Sequence, residues 1–205
     1  MSKPLVVEVY YDYLCPYVYA GAFWARDVKT ALGDDVQFVW RSFPLEQVNS
    51  AEGPEWKLWE QADDYVSRGL YAFRGAEAAK LQGEDQFLNF HFALLEARHV
   101  EDQNIGRKDV VIETARKAGL DVDAFTTALA DRSLMANIGN DYENARSKHG
   151  VFGTPTFVFP DGNAAYMKMR PKAPEEDAVA VWNDFVKMVQ DRTYIAEVKR
   201  PTKPE

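Results

Sequence analysis

Between Pro4 and Phe43 the chain reads as strand, helix, strand, joined by connections of only a few residues. Pro4 to Tyr11 alternates, with Leu5, Val7, Val9 and Tyr11 on one face and Val6, Glu8 and Tyr10 on the other. Tyr17 to Leu32 has helical character, and Gly33 stands where a helix stops. Val36 to Phe43 is β-branched and aromatic. A strand–helix–strand unit of this kind makes its two strands parallel neighbours, which commits the chain to the α/β class.

The pattern changes after residue 54 and returns near residue 150. Residues 55–149 are helical and acidic. Phe87, Phe90, His91, Leu94, Leu95 and Arg98 recur at helical spacing after Gly83, and a further helix runs from about Arg107 to Ala118. Asp121 caps a short helix carrying Val122, Phe125 and Leu129; Leu134, Ile138, Tyr142 and Ala145 mark another, ending near Gly150. Strand signals reappear at Thr156–Phe159, and the turn Pro160-Asp161-Gly162-Asn163 reverses the chain into a strand over Ala164–Met169. Pro174 and the acidic run Glu175–Asp177 then open a last helix, whose apolar face is Val179, Trp182, Phe185, Val186 and Val189. The expected organisation is a core of residues 1–54 and 150–191, a helical insertion over 55–149 and a loosely ordered tail over 192–205.

Composition narrows the function. With 32 acidic against 24 basic side chains the formal charge is −8, which disfavours binding to a phosphate backbone. Twelve Phe, ten Tyr and five Trp require a substantial core. No apolar run reaches the roughly 18 residues that a membrane span needs, and the start of the chain enters a strand pattern with no signal-peptide core. A cytoplasmic protein is expected. One cysteine excludes an internal disulfide, and with three histidines it offers no metal-ligand spacing.

That cysteine, Cys15, sits between the first strand and the first helix and is followed by Pro16. Proline favours the first helical position, so Cys15 falls at the N-cap, where unpaired N–H groups and the helix dipole stabilise an anion. A thiolate is the nucleophilic form of cysteine. The position also lies at the carboxyl end of a parallel strand, where open α/β folds bind ligands. A lone cysteine is ordinarily a small buried hydrophobe; the strand–Cys–Pro–helix context favours a functional thiol. No Lys, Arg or His lies within the next three residues, which leaves activation mainly to the helix end. A second signal is Gly153-Thr154-Pro155-Thr156, a proline just ahead of a strand.

Cys15-Pro16-Tyr17-Val18 after a first strand, together with Gly153-Thr154-Pro155-Thr156 before a hairpin, resembles the thioredoxin superfamily. The helical insertion makes the chain similar to the DsbA branch, especially FrnE-type proteins, over residues 4–190. The resemblance implies a thioredoxin fold, a mixed sheet in the order β-α-β … β-β-α with a helical insertion. It also implies a cis Thr154–Pro155 bond facing Cys15, and a Thr154 backbone that pairs with an extended peptide or with glutathione by strand addition. Disulfide oxidoreductases of this family carry a second cysteine three residues after the first, where this chain has Val18. Without it, Cys15 can attack a disulfide but needs an external thiol for release. Related kappa-class glutathione transferases and 2-hydroxychromene-2-carboxylate isomerases have serine at the Cys15 position and a Ser-Asp-like pair after the last strand. The corresponding stretch here, Tyr166-Met167-Lys168-Met169-Arg170-Pro171, lacks that pair, although Lys168 or Arg170 could meet a carboxylate.

The expected site is therefore Cys15 as nucleophile, with Pro16, Tyr17, Val18, Tyr13, Thr154 and Pro155 around the substrate. Tyr13 and Tyr17, flanking the thiol, are expected at the surface, favouring apolar or aromatic substrates. Asp12, if it faced the thiol, would oppose ionisation by like-charge repulsion. His91 reads as a core histidine, His99 and His149 have no identifiable partner, and Trp56 and Trp59 read as one turn apart on a helix over the site. The leading expectation is a monothiol thiol–disulfide oxidoreductase with no bound cofactor and glutathione as a co-substrate. Its partners would be a thiol- or disulfide-containing protein or a small-molecule thiol, neither nucleic acid nor membrane, with a homodimer left open. The alternatives are glutathione-dependent transfer or isomerisation of an aromatic substrate, and a non-catalytic binding module.

Overall fold

The computed structural model describes residues 3–53 and 55–201. Strand β1 (Leu5–Tyr11) leads through a four-residue turn into helix α1 (Pro16–Leu32), and strand β2 (Val36–Ser42) follows a single 3₁₀ turn. β1 and β2 pair in parallel, from Leu5 opposite Val36 to Tyr11 opposite Ser42. Strands β3 (Thr156–Val158) and β4 (Ala164–Tyr166) complete a four-stranded sheet ordered β2-β1-β3-β4, with β3 antiparallel to both of its neighbours. The architecture is a mixed-sheet thioredoxin fold of the α/β class.

Among the described residues six helices lie between β2 and β3: α2 (Leu45–Val48), α3 (Leu70–Lys80), α4 (Glu84–His99), α5 (Lys108–Lys117), α6 (Val122–Ala130) and α7 (Met135–His149). The last helix, α8 (Ala178–Val186), begins after one 3₁₀ turn at Glu175–Asp177. Local chemistry sets several ends. The Asp121 carboxylate accepts the N–H groups of Asp123 and Ala124 at the start of α6. Gly150 adopts a left-handed conformation (φ 62°) that closes α7.

The alternation of β1 divides the core. Val7, Val9 and Tyr11 belong to the large core with α1, α8 and the helical block, whereas Tyr10 joins Phe43, Tyr142, Ala145, Val151 and Val158 beneath α7. Trp24 of α1 packs edge-on to Phe157 and Phe185, and its Nε1–H donates to the Ala178 carbonyl at 3.2 Å. This aromatic cluster fixes α1 against β3 and α8, and so fixes the helix end that carries Cys15.

Two expectations change, and one helix comes without any. The segment around Trp56 and Trp59 is no helix: Leu58–Glu60 is a lone 3₁₀ turn, and Trp59 packs on Gly139 and Tyr142 of α7. A side chain at position 139 would place its Cβ 2.5 Å from Trp59 Nε1, so glycine makes that contact possible. β4 ends at Tyr166 rather than Met169, because β3 begins at Thr156 and the preceding Pro155 has no N–H to extend the ladder. α3 gave no distinct sequence signal because nine of its eleven residues are buried, leaving no polar face. Among the described residues no helix is long and apolar enough to cross a membrane.

Candidate active site at Cys15

The site is built from the turn that follows β1. The Asp12 carboxylate accepts the backbone N–H of Leu14 at 2.7 Å and that of Leu45 at 2.6 Å, while the Asp12 carbonyl accepts the Cys15 N–H at 3.1 Å. One buried residue thus shapes the turn and ties it to the segment after β2. Burial raises the Asp12 pKa to about 6, against the two backbone hydrogen bonds, which favour the carboxylate. Its carboxylate oxygens are engaged with Leu14 and Leu45.

Cys15 is the N-cap of α1 (φ −82°, ψ 117°), with Pro16 as the first helical residue. Its carbonyl accepts the Val18 and Tyr19 N–H groups, leaving the side chain to point across to the loop before β3. There the Cys15 thiol donates to the Thr154 carbonyl at 3.3 Å. The Thr154–Pro155 peptide bond is cis. Pro155 meets α1 at Gly21, where a Cβ would stand 3.1 Å from Pro155 Cγ, so the close approach of helix and loop depends on the missing side chain. The Thr156 hydroxyl donates to the Gly153 carbonyl at 2.7 Å and closes the loop on its other side.

The structure brings Cys15, Thr154 and Pro155 together and places Pro16 and Tyr17 at the rim, Pro16 exposed and Tyr17 half-buried. Tyr13 and Val18 are corrections. Both are 0% exposed, so neither is placed to touch a substrate. Val18, where the family's second cysteine would stand, points into the core from the first turn of α1. Tyr13 is covered by α4 and donates to or accepts from His91 Nδ1 at 3.0 Å.

His99 has the partner the sequence did not disclose: its Nε2–H donates to the Tyr13 carbonyl at 2.8 Å. Two histidines of α4 therefore hold one residue of the active-site turn, one by the side chain and one by the backbone. Burial lowers the pKa of both, His91 to about 3, so His91 is a neutral ring packed among Tyr11, Trp40 and Phe87. His91 Nε2 is buried and has no hydrogen-bond partner among the described residues.

The outer rim is aromatic and cationic. Exposed Phe152 meets Tyr166 edge-on at 5.1 Å between centroids, and Tyr166 lies against Gly153. The Lys168 ammonium stands 4.7 Å from the Tyr17 ring centroid. Two surface clefts, of about 430 and 310 Å³, are lined by other residues, the first around Trp59 and Arg132 and the second along β2. Among the described residues no group of three or more His, Cys, Asp or Glu side chains gathers as a metal site.

Known proteins resemble this chain at low identity. The uncharacterized protein YwbO of Bacillus subtilis is 25% identical over 177 residues, covering 76% of this chain and 86% of that protein. The ClpXP adapter protein SpxH of Shouchella clausii is 25% identical, covering 92% of this chain and 69% of its own. In structure, a probable DsbA oxidoreductase from Streptomyces coelicolor superposes with a TM-score of 0.66 at 17% identity, over 97% of this chain and 94% of that one. A family model, the DSBA-like thioredoxin domain, matches residues 6–182, and the chain belongs to that family.

Proposed function

We propose that the chain is a monothiol thiol–disulfide exchange protein of the cytoplasm, with Cys15 as its nucleophile. The observation that carries this reading is the contact of the Cys15 thiol with the Thr154 carbonyl, beside Pro155 and at the start of α1. The thiol proton leaves to solvent and breaks that contact, since a thiolate and a carbonyl are both acceptors. The Tyr17 N–H and the dipole at the start of α1 then face the sulfur anion, since Pro16 has no N–H and those of Val18 and Tyr19 go to the Cys15 carbonyl. Attack on a disulfide RSSR forms Cys15–S–SR and expels RS⁻. A second thiolate, R′S⁻, attacks the R sulfur, forms RSSR′ and returns Cys15 as thiolate.

The sum is exchange between a disulfide and a thiol, with no net oxidation of the protein. Val18 in the core leaves no second thiol for intramolecular release. The external thiol, of the glutathione class, is a co-substrate, and a reducing compartment supplies it. Pro16, Tyr17 and the Thr154 backbone line the approach.

The test is turnover. The full chain with a protein mixed disulfide and excess glutathione should free the protein thiol catalytically, the small group leaving as its disulfide with glutathione, and Cys15→Ser should abolish that turnover. A rate no greater than that without protein would refute the proposal.

A second reading, a non-catalytic binding module, is favoured by the adapter name that the Shouchella clausii relative carries. Partner binding unchanged in Cys15→Ser, with no turnover, is its signature.

A further inference from the structure

Lys168 lies two residues beyond β4 and is exposed at the rim next to the first turn of α1. Its ammonium stands over two aromatic faces, 4.7 Å from the Tyr17 centroid and 5.4 Å from that of Tyr166. Both rings present their negative faces and hold the cation in one place without neutralising it. Among the described residues no carboxylate lies within ion-pair distance of it, whereas the neighbouring Lys172 is paired with Asp27. The Tyr166 phenol is the main cause that raises the Lys168 pKa, with a smaller contribution from Tyr17.

The rest of the molecule works against anionic ligands. A formal charge of −8 repels a carboxylate-bearing disulfide before it reaches the site. A cation fixed at the rim, and left unpaired by the protein's own acids, is a local reversal of that field.

We propose that Lys168 is a specificity-determining residue of the Cys15 site, held by Tyr17 and Tyr166 to favour anionic disulfides and thiols, those with a carboxylate near the exchanging sulfur. This rests on the thiol–disulfide exchange reading above. In the exchange step the carboxylate of the incoming disulfide meets the ammonium while Cys15 attacks the nearer sulfur and the other sulfur leaves as thiolate.

The experiment compares three disulfide probes at low ionic strength: anionic glutathione disulfide, neutral 2-hydroxyethyl disulfide and cationic cystamine. Intact mass gives the rate of mixed-disulfide formation at Cys15. Each rate is divided by that of the same chain in denaturant, which removes the intrinsic reactivity of each probe. The wild type should prefer glutathione disulfide over cystamine, and added salt should shrink the preference. Lys168→Glu should lower the glutathione-to-cystamine ratio by roughly ten-fold. Lys3→Glu, the same charge change near the opposite end of β1, should leave the ratio as it is. Mixed disulfides that form with an unchanged ratio in Lys168→Glu would overturn the role of Lys168 and leave the exchange reading intact. No mixed disulfide with any probe would overturn both.

Discussion

The Cys15 thiol reaches the Thr154 carbonyl across 3.3 Å, linking the first helix to a loop 139 positions later in the chain. Neither residue sets that distance alone. It depends on how closely α1 approaches Pro155, and Gly21 governs that approach.

Gly21→Val should therefore loosen the site. A Cβ at this position already stands 3.1 Å from Pro155 Cγ, and two further methyl groups must push the loop or the helix away. Overpacking of this kind costs about 1–3 kcal/mol. Urea unfolding should show that loss, and the rate of Cys15 modification should change in the folded protein. A variant with wild-type stability and wild-type Cys15 rate would show that the contact does not set the geometry.

Asp12 and His91 give opposite pH dependences. The folded Asp12 pKa of about 6 lies above its ordinary value of 3.8. Between those values the folded state holds a proton that the unfolded state has lost, so stability falls as pH rises through this window. Removing the ionisable group in Asp12→Asn should shift the stability difference in the variant's favour, by on the order of 2 kcal/mol, between about pH 4 and pH 6. Denaturant titrations of both proteins across this range measure it, and a difference independent of pH would contradict the assignment.

His91 behaves the other way. Its folded pKa of about 3 lies below the ordinary 6.5 because burial penalises the imidazolium. The unfolded state then binds a proton that the folded state refuses, so this contribution to stability is intact above pH 6.5 and is lost as pH falls below it. His91→Phe should flatten that part of the profile, which approaches about 1 kcal/mol per pH unit, while losing the Tyr13 hydroxyl's partner. An unaltered slope between pH 6.5 and pH 5 would contradict a neutral buried His91. In the wild type the two residues offset each other between about pH 4 and pH 6, so single variants reveal what the parent conceals.

His99 acts on the turn through its hydrogen bond to the Tyr13 carbonyl. His99→Phe removes that bond and leaves a partly buried carbonyl unpaired, at a cost of about 1–3 kcal/mol. Because Tyr13 lies two residues before the nucleophile, the rate of Cys15 modification should change along with stability. His99→Gln, which can donate to the same carbonyl, should restore much of both; failure of the glutamine to restore either would contradict the role given to this hydrogen bond.

Much of this arrangement was legible in the sequence because it is written locally. The parallel β1–β2 pair, the N-cap position of Cys15, the Asp121 cap and the Gly150 stop follow from spacing and from the residue types at helix ends. Local patterns fail where the environment is uniform or the contact distant. Tyr13 reads as a surface residue because it lies in a loop beside the thiol, but α4 covers that loop. Val18 reads as a substrate contact from its place in the motif, but the helical periodicity of α1 turns it inward. α3 is buried on nearly every side and shows no amphipathic stripe. The Gly21–Pro155 approach and the His99–Tyr13 hydrogen bond join residues far apart in the chain, and nothing in their spacing announces them.

The most direct measurement compares Cys15 with itself. Because it is the single cysteine of the chain, intact mass after exposure to glutathione disulfide reports on it alone, in the folded protein and in denaturant at the same pH. The account predicts that the folded protein gains one glutathionyl group faster than the unfolded chain and loses it again to added thiol, since the start of α1 stabilises the attacking anion. A folded protein that reacts more slowly than the unfolded chain, or not at all, would contradict the claim that this fold makes Cys15 a nucleophile.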